Sequence, residues 1–527
     1  MKFIKFGIGG LFNFLFKVWV TMLLSFATDI FYINYLITQV IVLFESYLWH
    51  SKLTFHKKLN FKDFSKFFKA VILLKIADYT IANLGVYVFK QNYLVGVTIS
   101  SAIIIFFRFL LFDKYVFKSE RKKDAKTNNV VLTAATVSGN KGAEAMLTST
   151  IQNTDFSKYS LLSYYYERDL KENKNKNLII LNGKPLYMLI WVFPLSIIYF
   201  FLKLFYLPTK IVEKNKEINA IANSDYSIDV AGISFVDGRE IYLPYNFLCL
   251  IIPLLMGKKV IKLSQALGPF NNFLNKTLSK IMLPRLELIS ARGKKTHKHL
   301  LSLNLKNVIL STDLAFSEKM EDYEKAKDVF DKFKFTKKII GISTSSVVRK
   351  YCKKIGKDYE SITSDFTNYL IASGYNVILI PHSIRLESKK NKNNDIIVTR
   401  KIYEDITDKE KCLAIDEDLN SQELRYLIGK CDLFIASRFH AMISSLSMRV
   451  PTLVLGWSHK YREILSFFKL EDYCIDFSDY SVENFIPKFE DFVKDEDEIR
   501  KKLSENLSTV KKSSKKQFDM IKSLSES

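Results

Sequence analysis

Four apolar segments near the start of the chain limit what this sequence can fold into. They cover residues 7–29, 31–48, 68–89 and 93–112, and each is long enough as a helix to cross the ~30 Å hydrocarbon core of a bilayer. A cleaved signal peptide would explain the first segment alone, but three more follow it and no small-residue cleavage site stands out. The sequence therefore predicts a four-helix transmembrane domain over residues 1–118.

Basic residues are placed unevenly around these segments. Lysines crowd the stretches 50–69 and 114–126, whereas the other connections hold few. Because cytoplasmic loops carry the excess of basic residues, both termini and the region after residue 118 are predicted to be cytoplasmic. The net charge of +23 suits anionic membranes, phosphorylated substrates or nucleic acids. With 14% aromatic residues and no RNA-binding signature, the bilayer fits best and no nucleic-acid partner is predicted.

An internal repeat lies within the apolar region. Residues 44–55 (FESYLWHSKLTF) align with residues 106–117 (FFRFLLFDKYVF), so two helix pairs each end in a basic and aromatic cap. Four helices with such caps resemble the GtrA-like family of small membrane proteins. That resemblance implies a multi-pass protein of the bacterial cell membrane that takes part in moving polyprenyl-linked sugars. A four-helix anchor with no transport role is the alternative.

After residue 128, short apolar runs alternate with stretches of helical length. The runs are 129–136, 177–181, 227–233, 259–263, 286–290 and 307–310, then 338–343, 376–380, 412–415, 431–436 and 452–455. This alternation predicts two Rossmann-like halves with a site in the cleft between them. The predicted domains are the transmembrane domain 1–118, a basic linker 119–128, a first half 129–316, a connection 317–336, a second half 337–480 and a helical tail 481–527 on the surface. The five cysteines form no CxxC pair, so neither a disulfide framework nor a zinc site is predicted.

One long apolar stretch interrupts the first half. Residues 186–206 (LYMLIWVFPLSIIYFFLKLFY) are numerous enough to cross a bilayer, but a crossing there would separate the two halves, and Pro194 interrupts it. Lysines flank both ends, so the distribution of charge does not call for a crossing. We therefore predict a hydrophobic hairpin or an interfacial helix that docks the soluble region onto the membrane.

The stretch 431–460 holds a concentrated set of basic residues. One apolar run ends just before Arg438 and His440, and the next ends just before Trp457 and Lys460. Ligands of open α/β sheets lie at the carboxyl ends of strands, where a helix N-terminus also favours anions. The pattern predicts an anion site with a titratable group in it, and simple surface caps are the alternative. A glycine turn at residues 137–147 (VSGNKGAEAML) predicts a second close approach of backbone to an anion.

Nine motifs in order across both halves resemble the polysaccharide pyruvyl transferase family, over about residues 128–480. They are SGNKGAEAML (138–147), DVAGISFVDG (229–238), SQALGPF (264–270), SARGKKT (290–296), STDLAF (311–316), GISTSSVV (341–348), ILIPHS (378–383), SRFHA (437–441) and GWSHKYREIL (456–465). The resemblance implies a GT-B-like fold of two Rossmann-like domains. It also implies transfer of pyruvate from phosphoenolpyruvate to a pair of sugar hydroxyls as a ketal. Many members have a run of glycines after the third strand, where this chain has residues 231–234 (AGIS), a departure that concerns the acceptor contacts.

The implied donor carries a carboxylate and a phosphate, which suit an arginine fork and a lysine point charge. Arg438 and Lys460 are therefore predicted to bind phosphoenolpyruvate, with Arg292 as a third cation. His440 is the predicted general acid and base, because an imidazole gives and takes protons near neutral pH. His382 and His459 are the alternatives. Further candidate substrate contacts are Gly139, Asn140, Gly142, Glu144, Ser383 and Trp457.

Some of these residues have simpler interpretations. Glu144, like Asp313, could contact the acceptor or only cap a helix, and Trp457 could stack on a sugar or only pack. No cofactor and no metal ion is predicted; the partners are phosphoenolpyruvate, a glycan or polyprenyl-linked saccharide acceptor and the lipid bilayer. Two other functions stay open: a nucleotide-sugar glycosyltransferase of the same fold, and a translocator of lipid-linked sugars whose soluble part only binds.

Overall fold

The computed structural model describes residues 2–25, 31–55, 59–83, 103–105, 107–109, 111–112, 116, 128–204, 208–386, 393–458 and 460–526. The chain forms two units. One comprises Met1–Ala125 with Ile198–Val212, and the other comprises Lys126–Ile197 with Glu213–Ser527. Most of the predicted fourth apolar segment, nearly all of the predicted linker, and His459 lie outside the described residues.

The first unit contains helices α1 (Lys2–Ser25), α2 (Phe31–Trp49) and α3 (Phe61–Asn83), which overlap the first three predicted apolar segments. Its buried side chains include the aromatic residues Phe6, Tyr47, Phe67 and Phe112. Two helices of the described residues are long and apolar enough to cross a membrane: Phe6–Leu24 in the first unit and Pro185–Leu204 later in the chain. Length and composition alone decide that test, so the four-helix transmembrane domain stays a prediction.

Two parallel sheets form the frame of the second unit. The first contains β1 (Asn129–Thr133), β2 (Lys158–Ser163), β3 (Leu178–Asn182), β4 (Tyr226–Asp229), β5 (Lys259–Gln265), β6 (Leu288–Arg292) and β7 (Val308–Ser311). The second contains β8 (Ile339–Thr344), β9 (Asn376–Pro381), β10 (Cys412–Ala414), β11 (Leu433–Ala436), β12 (Thr452–Gly456) and β13 (Cys474–Asp476). The strand orders are β3-β2-β1-β4-β5-β6-β7 and β10-β9-β8-β11-β12-β13. Two Rossmann-like domains are thus present in the described chain.

Helices connect these strands or follow the last of them. They are α4 (Lys141–Gln152), α5 (Tyr166–Glu172), α6 (Pro185–Leu204), α7 (Lys216–Ala222), α8 (Leu243–Leu255), α9 (Phe273–Met282), α10 (Lys294–Leu301), α11 (Glu324–Asp331), α12 (Ser346–Lys354), α13 (Tyr359–Ala372), α14 (Asp395–Glu404), α15 (Ser421–Gly429), α16 (Phe439–Ser447), α17 (Lys460–Leu465), α18 (Val482–Lys494) and α19 (Glu496–Glu526). Both sheets reverse their strand order once, between β1 and β4 and between β8 and β11. Such a reversal opens a crevice at the carboxyl ends of the strands, where ligands bind in folds of this kind.

Two strands were absent from the sequence prediction. In β2, Ser160 and Ser163 interrupt the apolar run, although both are buried because the strand lies inside the sheet. The other strand, β13, has three residues and lies at the edge of its sheet. Both strands are too short or too polar for the pattern of apolar runs to mark them.

The apolar stretch of the first half is a helix and not the hairpin that was one of the two predicted forms. It runs without a break through Pro185–Leu204. A π-helical turn at Met188–Val192 precedes Pro194 and is followed at once by α-helix from Phe193. The wider turn accommodates a residue that has no N–H to donate, so the proline does not end the helix.

The tail contributes to both cores, which the prediction of a surface position missed. Helix α18 buries Phe485 and Phe489 in the core of the second half. Helix α19 buries Phe518 and Ile521 in the core of the first half. It also ties down the end of β7, because the Ser514 hydroxyl donates a hydrogen bond to the backbone carbonyl of Asp313 at 2.9 Å.

Candidate active site

The first wall of the cleft is an arginine–carboxylate pair at the ends of β6 and β7. Arg292 Nη1 donates to Asp313 Oδ2 at 2.9 Å, and both side chains are buried. Asp313 also caps the following 3₁₀ turn by accepting a hydrogen bond from the Ala315 N–H at 2.9 Å. The Arg292 guanidinium reaches into the second half, where its Cζ lies 4.7 Å from the centroid of the Phe439 ring. Asp313 is therefore both a cap and a member of the site.

His440 lies in the first turn of α16 and is held from two sides. Its Nε2 is 3.7 Å from Asp313 Oδ2, across the cleft. On the other side, its ring rests on Gly142, where an added Cβ would lie 2.0 Å from Nδ1 and 2.4 Å from Cγ. Only glycine leaves room for the ring in this position. Glycine is therefore required at residue 142 because the imidazole approaches its backbone closely, and not because of an unusual φ.

The charges in the cleft set the protonation of this pair. Burial lowers the pKa of His440, Arg292 and Lys460 lower it further, and only Asp313 acts in the opposite direction. Burial alone would raise the pKa of Asp313, but His440, Arg292 and the Ala315 N–H outweigh it and hold that pKa below its usual range. The site without a ligand therefore combines a carboxylate with a neutral imidazole. A bound anion would shift His440 towards the protonated form.

Lys460 occupies an aromatic environment at the start of α17. Its Nζ is 4.5 Å from the centroid of the Trp457 ring, 4.8 Å from that of Phe439 and 5.6 Å from that of Tyr461. Burial lowers the pKa of Lys460 well below its usual range, and the charges of neighbouring arginines lower it further. No carboxylate of a described residue lies within ion-pair distance of this nitrogen. An anionic ligand would therefore supply the negative charge that a protonated Lys460 needs as its partner.

Arg438 is already engaged. Its Nε donates to Asp395 Oδ2 at 2.8 Å, and its Nη2 bonds the second oxygen of the same buried carboxylate and the Ser346 hydroxyl. Asp395 in turn accepts a hydrogen bond from the Ser346 N–H at 2.8 Å. This network fixes the loop after β8. Of the three nitrogens of the Arg438 guanidinium, Nη1 alone has no hydrogen-bond partner among the described residues. The fork predicted to bind the donor therefore serves mainly to hold Asp395.

His382 lies at the end of β9 and close to His440. It is buried, and its Nδ1 has no hydrogen-bond partner within the described part of the chain. Burial lowers the pKa of His382 well below its usual range, and the charges of His440 and Arg438 act in the same direction. The neighbouring Ser383 hydroxyl donates to the Asn393 carbonyl at 2.7 Å. His382 is thus a neutral group at the cleft, while Ser383 is used within its own loop.

The glycine turn joins the two halves. Gly139 has a φ of +74°, and Asn140 caps α4 by accepting a hydrogen bond from the Gly142 N–H at 3.2 Å. The Lys141 ammonium forms ion pairs with Glu144 at 3.1 Å and with Asp418 of the second half at 2.8 Å. Burial raises the pKa of Glu144 to about 7, although Lys141 opposes the shift. These contacts give Glu144 a place between the halves and not at His440.

The predicted residues therefore separate into two groups. The structure brings together His440, Arg292, Lys460, Arg438, His382, Trp457 and Gly142. By contrast, Gly139, Asn140, Glu144 and the backbone of Ser383 connect the halves, through a bridge between Asn140 and Ser383 and a hydrogen bond from the Ile384 N–H to the Gly139 carbonyl at 2.8 Å. Trp457 stacks on Tyr351, with ring centroids 5.4 Å apart, and its ring also contacts the Lys460 ammonium. Sequence reasoning gave Asp313 no fixed role and missed Asp395 and Arg239. The position of Asp313 directly after a strand was a usable signal, but no pattern marks the other two.

Arg239 adds a further cation. It is exposed, on the loop between β4 and α8, and its charge lowers the pKa of Lys460. Among the described residues around the histidines, four basic side chains thus lie near two carboxylates: Arg239, Arg292, Arg438 and Lys460 near Asp313 and Asp395. The described residues include no group of three or more His, Cys, Asp or Glu side chains placed to hold a metal ion. The arrangement can bind an anion with more than one charged group and move a proton beside it.

Two Rossmann-like halves with a cationic, histidine-bearing cleft define a GT-B-like two-domain protein. The sequence model of the family described as polysaccharide pyruvyl transferase matches residues 140–459. The match covers more than half of the chain and includes both walls of the cleft. The chain belongs to the polysaccharide pyruvyl transferase family.

Individual relatives are more distant. The amylovoran biosynthesis protein AmsJ of Erwinia amylovora is 23% identical over 297 residues, which cover 53% of this chain and 68% of that protein. A solved structure from Listeria monocytogenes, described as a UDP-N-acetylglucosamine 2-epimerase, superposes with a TM-score of 0.50 at 13% identity. It covers 76% of this chain and 97% of that one. At such low identity the likeness extends to the fold alone.

Proposed function

We propose that this protein transfers pyruvate from phosphoenolpyruvate to two hydroxyls of one sugar, forming a ketal on a cell-surface glycan or its polyprenyl-linked precursor. The observation that carries the proposal is the position of His440, which Gly142 and Asp313 fix inside a cluster of basic side chains at the carboxyl ends of strands from both sheets. Membership of the family supports the reaction class, and the name of the amylovoran relative supports glycan synthesis.

The donor needs cations that can meet both a carboxylate and a phosphate. Arg292 and Lys460, whose Cζ and Nζ lie 4.7 and 4.8 Å from the centroid of the Phe439 ring, are the proposed donor contacts. Lys460 is the stronger candidate for a direct charge contact, because no described carboxylate neutralises it. Arg438 contributes less direct charge, since Asp395 holds its fork.

The reaction moves two hydroxyl protons, one to carbon and one to phosphate, and one imidazole can relay both. Protonated His440 gives a proton to the methylene carbon of phosphoenolpyruvate, which becomes the methyl group, and the neutral imidazole then takes the proton of the first sugar hydroxyl as its oxygen bonds to the adjacent carbon. The imidazolium passes that proton to the phosphate as it leaves, and the imidazole takes the proton of the second hydroxyl, whose oxygen bonds to the same carbon. Asp313 stabilises the imidazolium at each stage. The balance is one phosphoenolpyruvate and two hydroxyls converted to one ketal and one phosphate.

The membrane assignment is part of the proposal. The apolar segments of residues 1–118 and their GtrA-like pattern support a multi-pass anchor in the bacterial cell membrane, with the Rossmann-like halves in the cytoplasm. An acceptor that is still attached to its lipid carrier would be made at that surface. The departure at residues 231–234 lies beside the loop of Arg239, so the acceptor is expected to bind on that side of the cleft.

The test is phosphate release from phosphoenolpyruvate by the purified full-length protein, with membranes of a strain lacking the protein as the source of acceptor. We expect His440→Ala to reduce the release by at least ~100-fold, the usual range for a lost acid–base group. The matched control is His297→Ala on α10, outside the site. Equal activity of the two variants would remove the assigned role of His440.

Donor binding is tested separately by thermal unfolding. Phosphoenolpyruvate should raise the unfolding temperature of the wild-type protein, because a ligand that binds only the folded state stabilises it. The Lys460→Gln variant should lose most of that shift. Stabilisation by nucleotide sugars, and not by phosphoenolpyruvate, would instead favour a glycosyltransferase.

A further inference from the structure

Large apolar side chains on three elements of the first half are exposed to solvent. They belong to α6 (Leu186 and Trp191), to the turn before α8 (Ile241 and Tyr242) and to α9 (Phe273 and Leu274). We call these six residues the apolar face. Ile241 is 85% exposed and Phe273 is 83% exposed, although both are among the most apolar residue types. Large exposed apolar patches on soluble surfaces are uncommon and mark interaction sites.

Packing contacts join the three elements. Helix α8 packs against both α6 and α9 and so lies between them. The loop before α8 is tied to the start of α9 through Asp237, which accepts hydrogen bonds from the backbone N–H groups of Asn271 at 2.7 Å and Asn272 at 3.2 Å. The Asn275 amide donates to the same carboxylate at 2.7 Å. The loop that leads to Ile241 is therefore joined to the start of the helix that carries Phe273.

The charges around this face favour a lipid occupant, with Glu240 beside Ile241 as the acidic exception. Helix α9 exposes Lys276 and Lys280 beside Phe273 and has no acidic residue. Lysine is depleted from the centres of protein–protein interfaces. At a bilayer, in contrast, its stem lies along the acyl boundary while its ammonium meets an anionic headgroup. A second copy of this chain would bring the same lysines together, so a lipid surface fits better.

The apolar face also adjoins the cleft. The loop that presents Ile241 carries Arg239 two positions earlier, and Arg239 lies near enough to influence Lys460. A membrane in contact with Ile241 would therefore place lipid headgroups close to the opening of the cleft.

We propose that the apolar face inserts into the headgroup region of an anionic bilayer as a monotopic docking surface, in addition to any crossing by the first unit. The docking holds the cleft at the depth where a lipid-linked saccharide presents its sugar. Only this consequence for the acceptor rests on the proposed function; the docking itself does not.

The test uses the full-length protein in nanodiscs that contain phosphatidylglycerol. All native cysteines are buried, so a single introduced cysteine can be labelled selectively with a fluorophore. The probes are Ile241→Cys and Phe273→Cys, and the matched control is Ile355→Cys, an exposed isoleucine on the second half. Phospholipids with a quencher in the upper acyl chain should quench both probes at least ~3-fold more strongly than the control.

Equal quenching at residues 241, 273 and 355 would overturn the proposal. So would disulfide-linked dimers of Phe273→Cys without lipid quenching, which would assign the face to a second copy. Replacing both Lys276 and Lys280 by glutamine should lower the quenching at Ile241→Cys in anionic discs, and an unchanged value would refute the charge argument. Phosphate release is measured on unlabelled protein in the same discs. Quenching without release would remove the proposed enzyme and leave the docking surface, whereas release without quenching would remove the docking surface alone.

Discussion

Replacing Gly142 by alanine tests the placement of His440 with a single added carbon. The new Cβ would lie 2.0 Å from His440 Nδ1 and 2.8 Å from Cε1. Non-bonded heavy atoms need about 3.5 Å or more. The imidazole must therefore move by roughly 1.5 Å, or the two halves must separate by a similar amount. Either movement disturbs the 3.7 Å approach of Nε2 to Asp313.

The expected size of the effect follows from that displacement. Misplacement of a catalytic group by about 1 Å can reduce a rate ~100-fold, so Gly142→Ala should lower phosphate release by at least that factor. Overpacking typically costs ~1–3 kcal/mol of stability, so the variant should still fold. Release is measured with phosphoenolpyruvate and acceptor-bearing membranes, and folding is checked by thermal unfolding.

Gly10 on α1 provides the matched control. A Cβ there would meet no atom of the described residues within 4 Å. Gly10→Ala adds the same methyl group outside the cleft and should retain activity within ~3-fold, because nothing has to move. If Gly142→Ala released phosphate as fast as Gly10→Ala, the close packing of His440 on α4 would not matter for function, and the reasoning would be refuted.

Three further predictions concern ionised groups. Asp313→Asn removes the one charge that raises the pKa of His440, so the alkaline limb of the kcat profile should move to lower pH and kcat should fall by ~100-fold; an unchanged profile would contradict the pairing. Arg438→Gln removes the ion-pair partner of the buried Asp395 carboxylate and should cost about 3 kcal/mol of unfolding free energy, measured by denaturant titration. The control is Arg400→Gln, which breaks the exposed ion pair with Asp416, and equal losses would mean that the Arg438 network is weak. Burial raises the pKa of Glu144 from 4.5 to about 7, so its contribution to stability is present below pH 4.5 and is lost as the pH rises through 7. Glu144→Gln should therefore unfold at a higher temperature than wild type at pH 8 and show little gain at pH 5, and a pH-independent difference would oppose this account.

Much of the fold follows from local pattern. The apolar runs that become β1, β8, β11 and β12 are each bounded by polar or glycine residues, and strands buried on both faces need such runs. The glycine turn before α4 and the basic residues after β11 are likewise visible as short motifs. The strand β2 gave no such signal, because serines interrupt its apolar residues and their burial depends on the neighbouring strands.

Local pattern could not reveal which charges neutralise one another. The sequence predicts a donor-binding fork at Arg438, whereas in the structure Asp395 binds that fork. Asp395 begins a helix, where an acidic residue is common and gives no sign of such a contact. Asp313 gave the opposite case, because its capping role was visible and its contact with His440 was not.

By itself, then, the sequence determined the alternation of strands and helices and the basic residues placed at strand ends, because those features depend on near neighbours in the chain. Only the tertiary structure decided that Gly142, Asp313 and His440 meet, since they come from separate elements of two halves. The same holds for the apolar face, whose residues are unremarkable one by one. Their exposure becomes informative only when the fold places them on elements that are joined to one another and to the loop of Arg239.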